Sequence, residues 1–449
     1  MSYFIFLLAK LSIKILKFFG FRSTSFPGMF ALKFCPDILN YFFSQLDSNP
    51  IFITGSNGKS TSAGILANIL KFTKQEYLYN SSGANLKSGI LTTFIQNADY
   101  KASLKYKKAL FEVDEATLRL VSGKRESSII TVNNFFRDQL DRFGEMKTTI
   151  SLVQQGIDLS PNTNLILNAD DPNVCRLTAK NILYFGMDIN CIKEFSNDVF
   201  SAELASCPFC EEDLKYNYKW LGQFGDYYCP KCSYKRPEPQ IKIKSFELGI
   251  SETLAKVEIA NNSPFRGLGG FLEIKIPIPG LFNVYNALSA VSTAIVSNIS
   301  FENIKQGIET YRPLFGRAQK LNYKNTEINL FLIKNPIGAS EVLRLIKNDQ
   351  ETPVLIALND NYADGRDISW IWDAHFEYLK DRSNIFTTGK RASDMAIRLK
   401  YAGVNILESQ CMENIKQALD KIIQPPKKIY ILPTYTALLE LTKIMNIKY

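Results

Sequence analysis

Histidine is almost absent: His375 is the only one in 449 residues. One imidazole cannot build a multi-histidine metal centre, and any nucleophile–histidine dyad would have to form around it. Cysteine is sparse too, at eight, too few for a disulfide scaffold in a chain this long. Cys207, Cys210, Cys229 and Cys232 cluster, while Cys35, Cys175, Cys191 and Cys411 are scattered; that distribution fits a reducing compartment and one metal site. The apolar run from Tyr3 to Ala9 is too short to span a bilayer, and no small-residue cleavage site follows it. Neither sign of charge dominates. The 53 Lys and Arg exceed the 44 Asp and Glu by 9, too mild an excess to indicate a nucleic-acid binder, though compatible with nucleotides or an anionic membrane surface.

With 46% apolar and 22% charged residues, the composition is that of an ordinary globular protein and excludes disorder, collagen and a polytopic membrane protein. The length suggests two or three domains. Lys10, Lys14 and Lys17 follow the N-terminal apolar run at helical spacing. This reads as an amphipathic helix packed on its own domain; the other reading is an interfacial helix whose lysines face anionic headgroups. A soluble protein is expected.

From Pro50 short β-branched runs alternate with longer helical patterns. Strands are expected at Ile51 to Thr54, Ala109 to Val113, Ser128 to Val132 and Asn164 to Leu167, with helices at Ser60 to Phe72 and Asn286 to Ser297. Such alternation indicates a parallel α/β sheet. A second α/β block begins near Arg317, with strands at Val354 to Leu358, Ile385 to Thr388 and Ile429 to Leu432 and helices at Ala392 to Tyr401, Met412 to Ile423 and Tyr435 to Met445. Between about Ala202 and Pro239 the pattern breaks into aromatics, Gly, Pro and paired cysteines. The spacing Cys207-x-x-Cys210, eighteen residues, Cys229-x-x-Cys232 points four thiolates at one centre, a structural zinc with no open coordination position; a redox Cys-x-x-Cys pair is the alternative. Tyr216, Tyr218, Trp220, Phe224, Tyr227 and Tyr228 are read as the mini-core of a module too small to fold without metal; a stacking surface for RNA is the alternative.

Ile51-Phe-Ile-Thr-Gly55-Ser-Asn57-Gly58-Lys59-Ser60-Thr61 reads as strand, glycine turn and helix. Glycines let backbone N–H groups and the helix N-terminus face phosphate; Lys59 would reach the β/γ-phosphates and Ser60 a Mg²⁺ ion. Ile53 stands where the full P-loop pattern has its first glycine, so the loop is a shortened version; a structural turn is the alternative by pattern alone, and the strand and helix on either side favour the nucleotide site.

This turn resembles the phosphate loop of the Mur ligase superfamily, T-G-x-N-G-K-[ST]-T, at every specified position. Five further stations follow in order: Glu112 at a strand end; Asn134-x-x-x-Asp138-Gln139-Leu-Asp141; Asn168-Ala-Asp-Asp171-Pro; Gly280-x-x-Asn283-x-x-Asn286-Ala; and Phe315-Gly316-Arg317. The resemblance implies ATP and Mg²⁺, with Glu112 on the metal, Asn283 and Asn286 on the adenine side and Arg317 contacting the γ-phosphate. Gln139 replaces the superfamily's usual histidine, and Lys334-Asn335-Pro336 departs from its C-terminal D-Y-A-H-N-P motif. A carbamoylated lysine is not implied either; Lys147 is a candidate that by itself reads as solvated.

The four-cysteine insertion and Asn359-Asp360-Asn-Tyr-Ala-Asp364-Gly365-Arg-Asp367-Ile-Ser369-Trp370 resemble the MurT-type ligases of that superfamily. In that group Gln139 and Lys334-Asn335-Pro336 are expected. The resemblance implies ATP-dependent amidation of D-glutamate in the lipid II stem peptide to D-isoglutamine, with ammonia from a GatD-type glutaminase whose triad Asp367 completes. His375 has no nearby cysteine in a nucleophile context, so a separate source of ammonia is expected on that ground too. The alternative reading of Asp367 is as the cap of a helix begun at Ser369. Two rivals are an amino-acid-adding ligase of the murein or folylpolyglutamate type and a zinc-ribbon nucleic-acid-binding ATPase, the latter resting on Lys231, Lys235 and Arg236; no nucleic-acid partner is expected. The expected architecture is α/β: a Mur ligase-type P-loop domain over 1–314 with a zinc ribbon inserted at 202–239, then a Rossmann-like domain over 315–449. A cytoplasmic location is expected, with proximity to the inner membrane face left open.

Overall fold

The computed structural model describes residues 2–21, 23–81, 83–136, 146–193, 195, 206–249, 251–261, 269–312, 319–424 and 428–447. They group into two compact units: Met1–Glu247 with Leu254–Ile276 and Asn283–Tyr311, and Leu248–Thr253 with Pro277–Phe282 and Arg312–Tyr449.

Strands of the first unit are β1 (Ile51–Thr54), β2 (Tyr77–Tyr79), β3 (Lys108–Glu112), β4 (Ile129–Val132), β5 (Asn164–Asn168), β6 (Asn181–Met187), β7 (Lys215–Leu221), β8 (Phe224–Tyr228), β9 (Ile241–Leu248), β10 (Thr253–Ile259) and β11 (Gly270–Ile276). Nine form one sheet in the order β11-β10-β9-β6-β5-β4-β1-β3-β2, while β7 and β8 form a separate antiparallel hairpin. Every pairing from β2 across to β9 is parallel. Parallel strands are covered on both faces, which explains why β1 and β4 are continuous buried runs and do not alternate.

Three helices, Tyr3–Phe18, Phe26–Phe34 and Ile38–Ser44, precede β1. Phe6, Ala9 and Ile13 of the first are buried in the core that holds Phe42 and Phe94, so one face of this helix packs on its own domain. Among the described residues no helix is long and apolar enough to cross a membrane.

The second unit carries β12 (Gln319–Tyr323), β13 (Thr326–Leu330), β14 (Val354–Ala357), β15 (Ile385–Thr388), β16 (Cys411–Met412) and β17 (Lys428–Pro433), ordered β12-β13-β17-β14-β15-β16. Only the β12–β13 pairing is antiparallel. The helix expected from Met412 starts later. Cys411 and Met412 pair with Thr387 and Thr388, and Asn414 caps the helix Ile415–Ile422 by accepting from the Gln417 N–H at 3.0 Å, so the cap overrides the apolar period.

Candidate functional site

The turn after β1 requires its glycines. Gly55 and Gly58 have φ of +126° and +79°, and a Cβ at Gly58 would lie 2.0 Å from Asn286 Oδ1. Helix Lys59–Lys71 begins directly at Gly58 with no side-chain cap, leaving the positive end of its dipole at the turn. Asn134, from the loop after β4, clamps the turn on both sides. Its Oδ1 accepts from Asn57 N–H at 2.7 Å, its Nδ2 donates to Asn57 O at 3.0 Å, and its carbonyl accepts from Ser56 N–H at 2.9 Å.

Lys59 Nζ donates to the carbonyls of Gly55 and Ser56 and lies 3.3 Å from both carboxylate oxygens of Glu115. The Ser60 hydroxyl donates to Glu112 Oε1 at 2.8 Å. Glu112 is buried at the end of β3, and its Oε2 has no hydrogen-bond partner among the described residues. Its position is over-determined: Asn80 accepts from the Glu112 N–H at 2.9 Å and donates to its carbonyl at 2.8 Å. A buried carboxylate oxygen without a donor is costly. Together with a hydroxyl it forms a hard oxygen set that suits a small divalent cation.

On helix Leu281–Val296, Asn286 Nδ2 donates to Asn283 Oδ1 at 3.1 Å, and Asn286 Oδ1 accepts from Ser62 Oγ at 3.4 Å. Ser62 in turn accepts from Asn133 Nδ2 at 2.9 Å, and Ser289 Oγ donates to Asn133 Oδ1 at 2.7 Å. The glycine turn and the asparagine pair are thus joined by one buried polar chain.

The loop after β5 holds two buried aspartates. Asp171 accepts from Phe135 N–H, Asn173 N–H and Gln223 Nε2, yet burial pushes its carboxyl up to about 7. Asp170 accepts from Arg236 at 2.7 Å and from Tyr285 at 2.6 Å, and the Tyr285 hydroxyl accepts from Trp220 Nε1 at 2.7 Å. The expected self-contained aromatic core is therefore corrected. Tyr216 and Tyr227 do pack with the cysteines, whereas Trp220 and Phe224 are wholly buried against the host domain, the Phe224 ring 5.0 Å from both Phe136 and Tyr285. Arg236 is buried in its ion pair, so it belongs to no basic stripe, and Lys231 lies 4.0 Å from Glu212.

The four cysteine Sγ atoms of Cys207, Cys210, Cys229 and Cys232 lie within 4.8 Å of one another. Backbone N–H groups of Phe209, Lys231 and Tyr234 approach Cys207, Cys229 and Cys232 at 3.4–3.5 Å. Such bonds stabilise thiolates, and four of them fit a tetrahedral zinc. Lys147 is exposed and pairs with Glu211 at 2.9 Å.

In the second unit the loop after β14 is held by Asp364, whose carboxylate accepts from Asn361 N–H at 3.1 Å and Thr436 N–H at 2.7 Å. Asp367 is exposed and accepts from Ser369 N–H at 2.8 Å, a bond that draws its carboxyl below the ordinary value; the cap position of the short 3₁₀ helix Ser369–Trp372 is Ile368, which lies between Asp367 and Ser369. Asn335 accepts from Gly338 N–H at 2.8 Å and caps helix Pro336–Ile346. His375 Nδ1 lies 4.0 Å from Glu377. Asp138, Gln139, Asp141 and Arg317 lie outside the described residues.

The Mur ligase middle-domain family matches residues 53–225, and the MurT ligase C-terminal family matches residues 332–438. The MurT subunit of lipid II isoglutaminyl synthase (glutamine-hydrolyzing) from Streptococcus pneumoniae is 35% identical over 94% of this chain and 92% of its own. That from Staphylococcus aureus is 34% identical over 98% and 96%. The chain belongs to the MurT family of Mur ligases. Solved structures agree on the fold of this MurT-family ligase. A pseudomurein peptide ligase type C from Methanothermus fervidus superposes with a TM-score of 0.67 over 92% of this chain and 80% of its own at 23% identity. MurF ligase from Thermotoga maritima, in complex with ADP, gives 0.61 over 93% and 84% at 11% identity.

Proposed function

We propose that the protein is the ATP-dependent ligase subunit of a lipid II isoglutaminyl synthase. ATP phosphorylates the α-carboxylate of the D-glutamyl residue in the stem peptide, and ammonia then displaces phosphate to leave D-isoglutamine. The observation that carries this reading is the convergence of the glycine turn, Lys59, Ser60 and a buried, half-partnered Glu112, in a chain that MurT subunits match nearly end to end.

A carboxylate resists ammonia because its leaving group would be oxide; the acyl phosphate supplies a better one. Gly55, Asn57, Gly58, Ser60 and Thr61 form the shortened P-loop that would cradle the phosphates. Lys59 would exchange its Gly55 and Ser56 carbonyls and Glu115 for phosphate oxygens. Ser60 and Glu112 would hold Mg²⁺, which when bound offsets charge on the transferring phosphoryl group. Asn283 and Asn286 would contact the adenine side, and Arg317 the γ-phosphate. In the Rossmann-like second unit, exposed Asp367 would orient the catalytic histidine of a GatD-type glutaminase, the source of ammonia. The zinc ribbon would be structural.

The test is mass spectrometry of lipid II incubated with the protein, its glutaminase partner, ATP and glutamine. An OH-to-NH₂ mass change is expected on each amidated stem. Lys59→Ala should abolish it with an unchanged circular-dichroism spectrum, and full activity in that variant would sink the assignment. The fold shared with peptide ligases keeps amino-acid addition as the second reading; ATP turnover on lipid II with free ammonium and no amino acid rules it out.

A further inference from the structure

The N-terminal helix Tyr3–Phe18 is apolar on two faces. Phe6, Ala9 and Ile13 are buried, the Phe6 ring lying 6.0 Å from that of Phe42. Phe4, Leu11, Ile15 and Phe18 recur at i, i+7, i+11 and i+14, which a 3.6-residue period gathers within about 60° on the opposite side. They are 68%, 52%, 48% and 86% exposed. Phe19 and Phe21 just beyond the helix end, and Phe26, Met29 and Phe34 on the next helix, are all more than half exposed as well. A globular domain needs one apolar stripe to seat a helix; the second stripe does nothing for its own fold.

Charge decides what covers it. Residues 1–36 contain Lys10, Lys14, Lys17, Arg22 and Lys33 and no Asp or Glu. Lys10 is turned inward, donating to the carbonyls of Ile95 and Ala98, but Lys14, Lys17 and Lys33 are exposed. Protein–protein interface cores are depleted in lysine. Phenylalanine and leucine beside lysine, with no acidic residue, is instead the pattern of a helix lying in a bilayer interface, the rings among acyl chains and the ammonium groups on anionic headgroups.

We propose that this face docks the protein on an anionic phospholipid surface, the helix lying parallel to the membrane without spanning it. The inference stands on the surface itself and not on the proposed reaction.

The full chain is floated with phosphatidylglycerol-containing vesicles and with vesicles of phosphatidylcholine alone. Preferential recovery on the anionic vesicles is expected, weakening as salt rises from about 50 to about 500 mM. Phe18→Ser combined with Phe19→Ser, and separately Lys14→Glu combined with Lys17→Glu, should each lower vesicle affinity about tenfold or more while leaving the thermal midpoint in place. Vesicle affinity unchanged in both variants overturns the proposal. So does an absence of vesicle binding, with or without a concentration-dependent dimer in light scattering that Phe18→Ser/Phe19→Ser abolishes; the dimer would assign the face to a second copy of the chain.

Discussion

Glu112 illustrates the tension between stability and function at a single side chain. One of its oxygens accepts from Ser60 and the other has no donor among the described residues, so without a cation the site carries a poorly compensated buried charge. Glu112→Gln should raise the Mg²⁺ concentration needed for ATP-dependent amidation and cut the rate by about 10²–10³-fold, while the urea midpoint measured without Mg²⁺ stays at or above that of the parent protein. Asp171 makes a pH-dependent counterpart. Its folded-state value of about 7 lies above the ordinary aspartate value of about 3.9, so the native state holds its proton more tightly than the unfolded chain. This contribution to stability is fully present below the ordinary value and is lost as pH rises towards about 7. Asp171→Asn removes the titration, so the advantage of the parent over the variant in urea unfolding should shrink between pH 5 and pH 8; a constant gap would mean that Asp171 stays charged throughout. At this scale Lys59 and Ser60 were legible, because the chemistry of a phosphate turn prescribes residue types at short spacing, whereas Glu112 stood out only through the resemblance to the superfamily's strand-end glutamate. Asn134 headed one of the motif stations, but its clamp on the turn was not legible, and neither were the partners Asn80 and Glu115: each reaches the site from a loop or helix tens of residues away, and an isolated Asn or Glu carries no local signal.

Among the elements, the β7–β8 hairpin departs most from its expected role. The cysteine spacing alone implied a metal-stapled module, and the four sulfur atoms do converge. What the spacing could not convey is that the same hairpin supplies Trp220, Gln223 and Phe224 to the host, and that Arg236 follows it into an ion pair with Asp170. Cys229→Ser should therefore lose the roughly one zinc per chain expected of a tetrathiolate site and lower the melting temperature of the whole first unit, as read by elemental analysis and calorimetry. Arg236→Ala leaves Asp170 buried without its cation and should cost about 3–5 kcal/mol in urea unfolding, with zinc content unchanged. If zinc left with it, the metal and the ion pair would be one cooperative element. Aromatic residues at hairpin spacing look alike whether they face inward on their own module or outward onto a neighbour, so only packing could decide between the two.

Taken as a whole molecule, the chain is best probed at Asp367, which lies on the second unit, whereas the phosphate turn belongs to the first. The Asp367 carboxylate accepts from the Ser369 N–H, although the cap position of that helix is Ile368; Asp367 remains exposed, and one hydrogen bond does not exhaust a carboxylate's acceptor sites. Asp367→Asn should cripple glutamine-driven amidation and spare amidation driven by free ammonia, with the two subunits still co-eluting. A parallel loss of both activities with a lowered melting temperature would leave Asp367 as a structural residue of its turn alone. The sequence by itself determined the alternation of strand and helix, the glycine turn with its lysine and the four-thiolate spacing, because each rests on local backbone preference or on ligands a few residues apart. Only the tertiary structure decided which oxygen of Glu112 lacks a donor, that Asn134 clamps the turn, that Trp220 and Arg236 serve the host domain, and that the first helix buries one apolar stripe and leaves another exposed. Those outcomes depend on contacts between residues far apart in the chain, whose energies arise only when the sheet brings them together.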